Sequence, residues 1–150
     1  MSTFRTHARF DHVGAFLGIT AVDCLFAGAT LDQNVSGTYR RCRFDGAKLG
    51  GATIFGGSTF SECTFVRTDL NEAKGAALSF ERCDFTGASF CGTRLSESAL
   101  RQCTWDDVRF SFASLGGSTI TRAGFPVEKG HQESDRVLPA VKLGNVKWLD

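Results

Sequence analysis

The sequence predicts an all-β solenoid of stacked, four-sided coils, and three observations predict it. From Phe60 onward every fifth residue is bulky and apolar, the residue two places before each of these is small, and a Cys-x-aromatic signature returns about every twenty residues. A five-residue period matches neither the 3.6-residue turn of a helix nor the two-residue alternation of a half-buried strand. It matches a coil whose short sides each send two residues inward, one small and one bulky, while the other three turn a corner and face water. A signature recurring at twenty over a unit of five sets four units per turn. Self-similarity at a fixed period is the mark of a repeat architecture.

The bulky series runs Phe60, Phe65, Leu70, Gly75, Phe80, Phe85, Phe90, Leu95, Leu100, Trp105, Phe110, Leu115, Ile120, Phe125, and Gly75 is its one failure. The small series fails at Leu78, which predicts that a small and a large residue have exchanged roles on that side. Upstream the rule continues in shifted registers, with Tyr39, Phe44, Leu49 and Ile54 in one block and Phe16, Phe26 and Leu31 in another. The slips fall in QNVSG (33–37) and FGG (55–57), whose Gly, Ser and Asn content predicts loops. Cys24, Cys42, Cys63, Cys83 and Cys103 lie 18, 21, 20 and 20 residues apart, the deviations coinciding with those slips, so they form one inward column. Outward positions hold mostly Thr, Ser, Asp, Glu, Arg and Gly, which corners favour.

These units resemble the pentapeptide-repeat family, whose unit reads roughly A-(D/N)-L-x-x. Thr68-Asp69-Leu70, Cys83-Asp84-Phe85, Ala88-Ser89-Phe90 and Ala113-Ser114-Leu115 carry the resemblance, which covers about residues 8–125. Asp and Asn are uncommon before the bulky residue here, a departure that touches corner detail and not the fold. The resemblance implies a right-handed quadrilateral β-helix of about five to six coils, a rod roughly 25 Å long at about 4.8 Å per coil. Residues 1–15 are expected to cap the N-terminal end, residues 16–125 to form the β-helix, and residues 126–150 to form a C-terminal tail or cap. Solenoid ends expose core and unpaired backbone, so caps are required; Trp148 and Leu149 are the expected plug. Pro126 and Pro139 both lie beyond the coils, where neither deletes a ladder hydrogen bond. Dimerising members of the family use a C-terminal element, which leaves a homodimer through the tail open.

Composition narrows the chemistry. Seventeen basic residues against sixteen acidic ones leave no overall electrostatic footprint for nucleic acid or an anionic membrane. MSTFRTHARF has no apolar signal segment and no run reaches membrane-spanning length, so a cytoplasmic protein without a membrane partner is expected. A metal site needs ligands that converge on one point, whereas stacked cysteines run parallel, and parallel side chains do not reach disulfide torsions. The column is expected to be core thiols, with Cys91, just after Phe90, as the outward and reactive one. His7, His12 and His131 all lie outside the regular coils, and there is no P-loop or dinucleotide fingerprint. No enzyme, cofactor or metal is expected.

Function is then expected on the outer faces. Aligned coils put Arg40, Arg41, Glu62, Glu81, Arg82, Arg101 and Arg122 on one side, five arginines against two glutamates, a net +3. The next side carries Arg43, Asp45, Arg67, Asp84, Asp106 and Asp107, a net −2. Phe55 and Phe112 are large apolar residues where the repeat does not need them, and exposed aromatics flanked by arginine make interface anchors. Arg82, Arg101, Arg122, Asp84, Asp106, Asp107, Phe55 and Phe112 are therefore the candidate partner-binding residues. The leading reading is a non-enzymatic solenoid that masks one protein partner, as an immunity protein or inhibitor masks a toxin or a nucleic-acid-acting enzyme. The family also contains proteins that shield a topoisomerase by imitating a DNA duplex, which is the alternative, followed by a scaffold with no tight partner. Direct nucleic-acid binding ranks last, since the fold offers no groove and few exposed aromatics for stacking.

Overall fold

In the computed structural model, residues 2–5, 16–31, 33–54, 56–121, 123–125 and 144–149 are described. Among the described residues eleven short strands follow one another: β1 (Ser2–Arg5), β2 (Phe16–Val22), β3 (Asn34–Arg40), β4 (Thr53–Ile54), β5 (Thr59–Ser61), β6 (Lys74–Ala76), β7 (Ser79–Glu81), β8 (Arg94–Ser96), β9 (Ala99–Arg101), β10 (Thr119–Thr121) and β11 (Lys147–Leu149). All pairings are parallel, and the chain winds about five turns of a right-handed quadrilateral β-helix. On side one, β5, β7, β9 and β10 stack upon the end of β3, and β11 adds the last rung. Side two is held by bridges running Leu25–Arg43–Thr64–Asp84–Thr104, and side three by Thr30–Lys48–Asp69–Ser89–Arg109. Side four stacks β4, β6 and β8 on the start of β3.

The five-residue rule places the core as expected. Its bulky residues form columns of stacked rings: Phe26–Phe44, Phe44–Phe65, Phe65–Phe85 and Phe85–Trp105 have centroids 4.7, 4.8, 4.9 and 4.8 Å apart. A second column, Tyr39–Phe60–Phe80, meets the first edge-on, as in the 5.6 Å contact of Phe60 with Phe65. The parallel rungs dictate the face-to-face spacing, while the corner between sides supplies the favourable edge-to-face geometry. Cys24, Cys42, Cys63, Cys83 and Cys103 are all buried beside the rings. Each of the last four points its thiol at a main-chain carbonyl one coil back, as Cys83 Sγ does at Phe60 O, 3.3 Å away. Polar residues at the small position are paired the same way: Thr68 and Thr93 donate to Phe44 O and Leu70 O, each at 2.6 Å. A buried hydroxyl without such a partner would cost roughly 1–3 kcal/mol.

One expectation fails. QNVSG does not loop out; residues 34–37 belong to the seven-residue strand β3. From Leu31 to Val35 and from Val35 to Tyr39 the step is four residues, not five, so the chain has none to spare for corners and runs extended from side four into side one. Gly37 makes this passage feasible, because a Cβ there would lie 2.0 Å from the Ile19 carbonyl oxygen. The slip reappears as a register shift between Phe16 and Ile19 in the β2–β3 pairing, with Gly18 donating to Ser36 Oγ at 2.8 Å. Gly56 and Gly57 do form a turn, as their composition predicts.

Both ends carry extra rungs. Residues 2–5, within the segment expected to cap the N-terminal end, pair in parallel with Ile19–Val22. At the other end β11 pairs with β10, and Trp148 packs edge-on against Phe125 with centroids 5.5 Å apart. Leu149 is half-buried beside it.

Candidate partner-binding edges

Corners carry the outward chemistry. Where a side ends, the bulky residue's carbonyl accepts from the amide three residues on, as in Ala47 N to Phe44 O (2.9 Å) and Thr93 N to Phe90 O (3.0 Å). The residue before the next inward position takes a left-handed φ, +66° at Gly46 and +69° at Gly92, as a type II turn demands. Side chains at these left-handed positions stack in columns one coil apart, so each of the four corners presents a ridge.

Along the ridge between sides one and two stand Asp23, Arg41, Glu62, Arg82 and Gln102. Arg41 forks onto Asp23 with bonds of 2.8 and 3.1 Å, and Arg82 contacts Glu81 at 2.7 Å and Glu62 at 3.8 Å. Exposed pairs of this kind add at most about 1 kcal/mol of stability each, but they cancel charge. Asp23, which precedes Cys24 as Arg41 precedes Cys42, was absent from the sequence-based sum, and Arg122 lies outside the described residues. Adding Asp23 to the seven residues of the sequence-based sum lowers it from +3 to +2. Arg101 is exposed and makes no ion pair among the described residues.

Side two and the next ridge keep the acidic excess. Asp84 is half-buried and accepts from its neighbour Thr86 through both amide (2.9 Å) and hydroxyl, a local Asx turn. Asp45 accepts from Val66 N one coil above at 3.0 Å. Asp106 and Asp107 are exposed, and their carboxylates have no side-chain partner among the described residues. Of the acidic candidates, these two are the ones fully available to another molecule.

The ridge between sides three and four is built differently. Its column holds Gly51, Glu72, Gly92 and Phe112, and the two glycines leave a groove of about 400 Å³. Phe112 is 68% exposed at its upper end, while Lys74 and Arg94 on side four form the wall. Phe55 lies outside the described residues. Cys91, on the same ridge, is half-buried, with Ser89 Oγ donating toward its sulfur at 3.4 Å. Among the described residues no group of His, Cys, Asp and Glu side chains is arranged to hold a metal, and no helix is long and apolar enough to cross a membrane.

A solenoid of four-sided parallel coils with chemistry confined to its outer ridges defines a class of repeat protein, and comparison with known proteins agrees. The family model for pentapeptide repeats matches residues 53–92 and 76–104, with 8 copies. The chain is 34% identical over 106 residues to the pentapeptide repeat protein MfpA of Mycobacterium tuberculosis, covering 66% of this chain and 52% of that protein. This chain belongs to the pentapeptide-repeat family. It spans about half the length of the curated relative that it matches. Among solved structures, it superposes on QnrB1, a plasmid-mediated fluoroquinolone resistance protein, with a TM-score of 0.56 at 15% identity, covering 99% of this chain and 84% of that one. HetL, a pentapeptide repeat protein involved in heterocyst differentiation regulation in Nostoc, gives 0.55 at 13% identity, covering 98% and 84%. At these identities the structural likeness concerns the fold.

Proposed function

We propose that this chain is a non-enzymatic solenoid that docks one nucleic-acid-acting protein, and that protection of a topoisomerase by duplex mimicry is its leading activity. The observation that carries the reading is the contrast between the two ridges. On the basic ridge Arg41 and Arg82 are paired within the molecule by Asp23, Glu62 and Glu81, whereas Asp106 and Asp107 are exposed with no side-chain partner among the described residues. A partner steered by charge meets an acidic edge first, and an acidic edge suits a surface built to hold phosphates. The relationship to MfpA and the fold shared with a fluoroquinolone resistance protein support the same reading. Masking of a toxin, the first reading from sequence, rested on a compact rod without catalytic groups, which a topoisomerase-protecting protein shares.

The test is a supercoiling assay with the type II topoisomerase of the encoding organism, a fluoroquinolone, and added protein. Protection is expected, and Asp84→Arg with Asp106→Arg is expected to abolish it while Arg82→Glu with Arg101→Glu leaves it within about twofold. If the arginine pair proves essential and the aspartate pair dispensable, docking is on the basic ridge and duplex mimicry is wrong.

A further inference from the structure

The groove on the ridge between sides three and four belongs to neither charged edge above. The geometry points to a second docking site there, one that takes an extended acidic segment of a partner protein, with a carboxylate against Arg94 and an apolar side chain on Phe112. Three observations carry it. Phe112 holds a left-handed φ of +61° and is 68% exposed, where the coils below place Gly92, Glu72 and Gly51. The fold sets that φ at every corner and elsewhere fills it with polar or small residues, so a ring there is the exception, whereas Phe26, Phe44, Phe60, Phe65, Phe80, Phe85, Phe90, Phe110 and Phe125 are essentially buried. Strain spent on an exposed ring, in a fold with an interior built for rings, marks a place where the ring has a use outside.

The floor is the second observation. Gly92 sits directly beneath Phe112 in the column, and a Cβ there would come within 3.2 Å of Glu72 Cγ, so glycine keeps the groove open. From Phe112 to Gly51 the groove crosses three coil spacings, about 14 Å, which is the reach of about four extended residues. Charge is the third. Lys74 and Arg94 are paired rungs of side four, both exposed, with no ion pair among the described residues. Like charges stacked on adjacent strands repel, and Glu72 offsets only one of them, so the groove keeps a net positive charge beside Arg94. One aromatic ring and one net charge are too little for a nucleic-acid strand, which needs a basic track and successive stacking platforms.

The probe is a fluorescein-labelled hexapeptide alternating Glu and Phe, titrated against the full chain by fluorescence anisotropy, with a Lys-for-Glu peptide and a dT12 oligonucleotide as controls. Saturable binding of the acidic peptide is expected, weakened at least tenfold by Arg94→Glu and by Phe112→Gly and changed less than twofold by Asp106→Arg. Phe112→Gly is also expected to raise Tm by about 2–4 °C, since it relieves the left-handed strain. A merely structural ring would lower Tm when removed, and that result overturns the proposal. So does equal binding of the lysine peptide, retention of binding in both variants, absence of saturable binding, or capture of dT12 through Arg94.

Discussion

Leu78 fills the space that a side chain at Gly75 would occupy: a Cβ built on Gly75 would lie 2.7 Å from Leu78 Cδ1 and 3.0 Å from the Ile54 carbonyl oxygen. The single failure of the bulky series and the single failure of the small series are therefore one compensated event across the corner between sides four and one. Leu78 is 2% exposed, so it serves as the core residue that position 75 lacks.

This exchange predicts a non-additive pair. Gly75→Leu alone inserts a side chain into filled space and is expected to cost about 2–3 kcal/mol by overpacking. Adding Leu78→Ser restores the repeat rule at both positions and is expected to recover most of that loss. Urea denaturation of the two singles and the double measures the coupling; simple additivity would contradict the exchange.

Two glycines with positive φ are predicted to differ sharply. Gly57→Ala meets only open space at φ +84° and is expected to cost about 1 kcal/mol. Gly37→Ala drives a Cβ to 2.0 Å from the Ile19 main-chain oxygen and is expected to cost at least about 3 kcal/mol or to prevent folding. Thermal unfolding followed by circular dichroism compares them directly.

The thiol column predicts a staged titration. Five cysteines are buried and Cys91 is half-exposed, so one thiol is expected to react quickly with a disulfide reagent and six after denaturation. Three or more fast thiols in the native protein would contradict the column. Hydrogen bonding to neighbouring thiols, together with burial, holds Cys42 and Cys83 above the usual thiol range. The unfolded chain loses those protons near pH 8.5 while the folded chain keeps them, so their contribution is fully present below that pH and falls as pH rises above it. Stability is therefore expected to decline as pH rises through the unfolded thiol range, and a Cys42→Ala, Cys83→Ala variant is expected to show a flatter stability profile between about pH 8.5 and 10.

Trp105 offers a prediction about the core. Its Nε1 is buried with no hydrogen-bond partner among the described residues, while its rings stack on Phe85 at 4.8 Å. Trp105→Phe restores the ring found one coil below and removes an unsatisfied donor worth roughly 1–3 kcal/mol, which offsets the volume lost. The change is expected to alter stability by no more than about 1 kcal/mol, whereas Phe65→Ala in the middle of the same column is expected to cost about 3–5 kcal/mol. Guanidinium denaturation of both variants tests the contrast.

The architecture was legible in the sequence because each unit's inward pair is a local pattern repeated many times: the period of five, the cysteine column, and the exchange at Gly75 and Leu78 all follow from spacing. The slip at QNVSG was visible as well, but its outcome was not. Whether missing residues make a loop or a straight strand depends on how close the neighbouring coil comes, and the contact of Gly37 with Ile19 decides it. The outer ridges were legible only as a list of charges. Asp23 holds the place before Cys24 that Arg41 holds before Cys42, and its fork with Arg41 cancels charge that the sequence-based sum counts as free. The groove under Phe112 arises from glycines one and three coils below it, residues twenty and sixty-one positions before it in the chain. Sequence by itself determined which residues face inward, because burial follows a local period. The tertiary structure alone decided which outward residues meet, because stacking sets side chains from different coils a few ångströms apart and leaves only some of their charge for a partner.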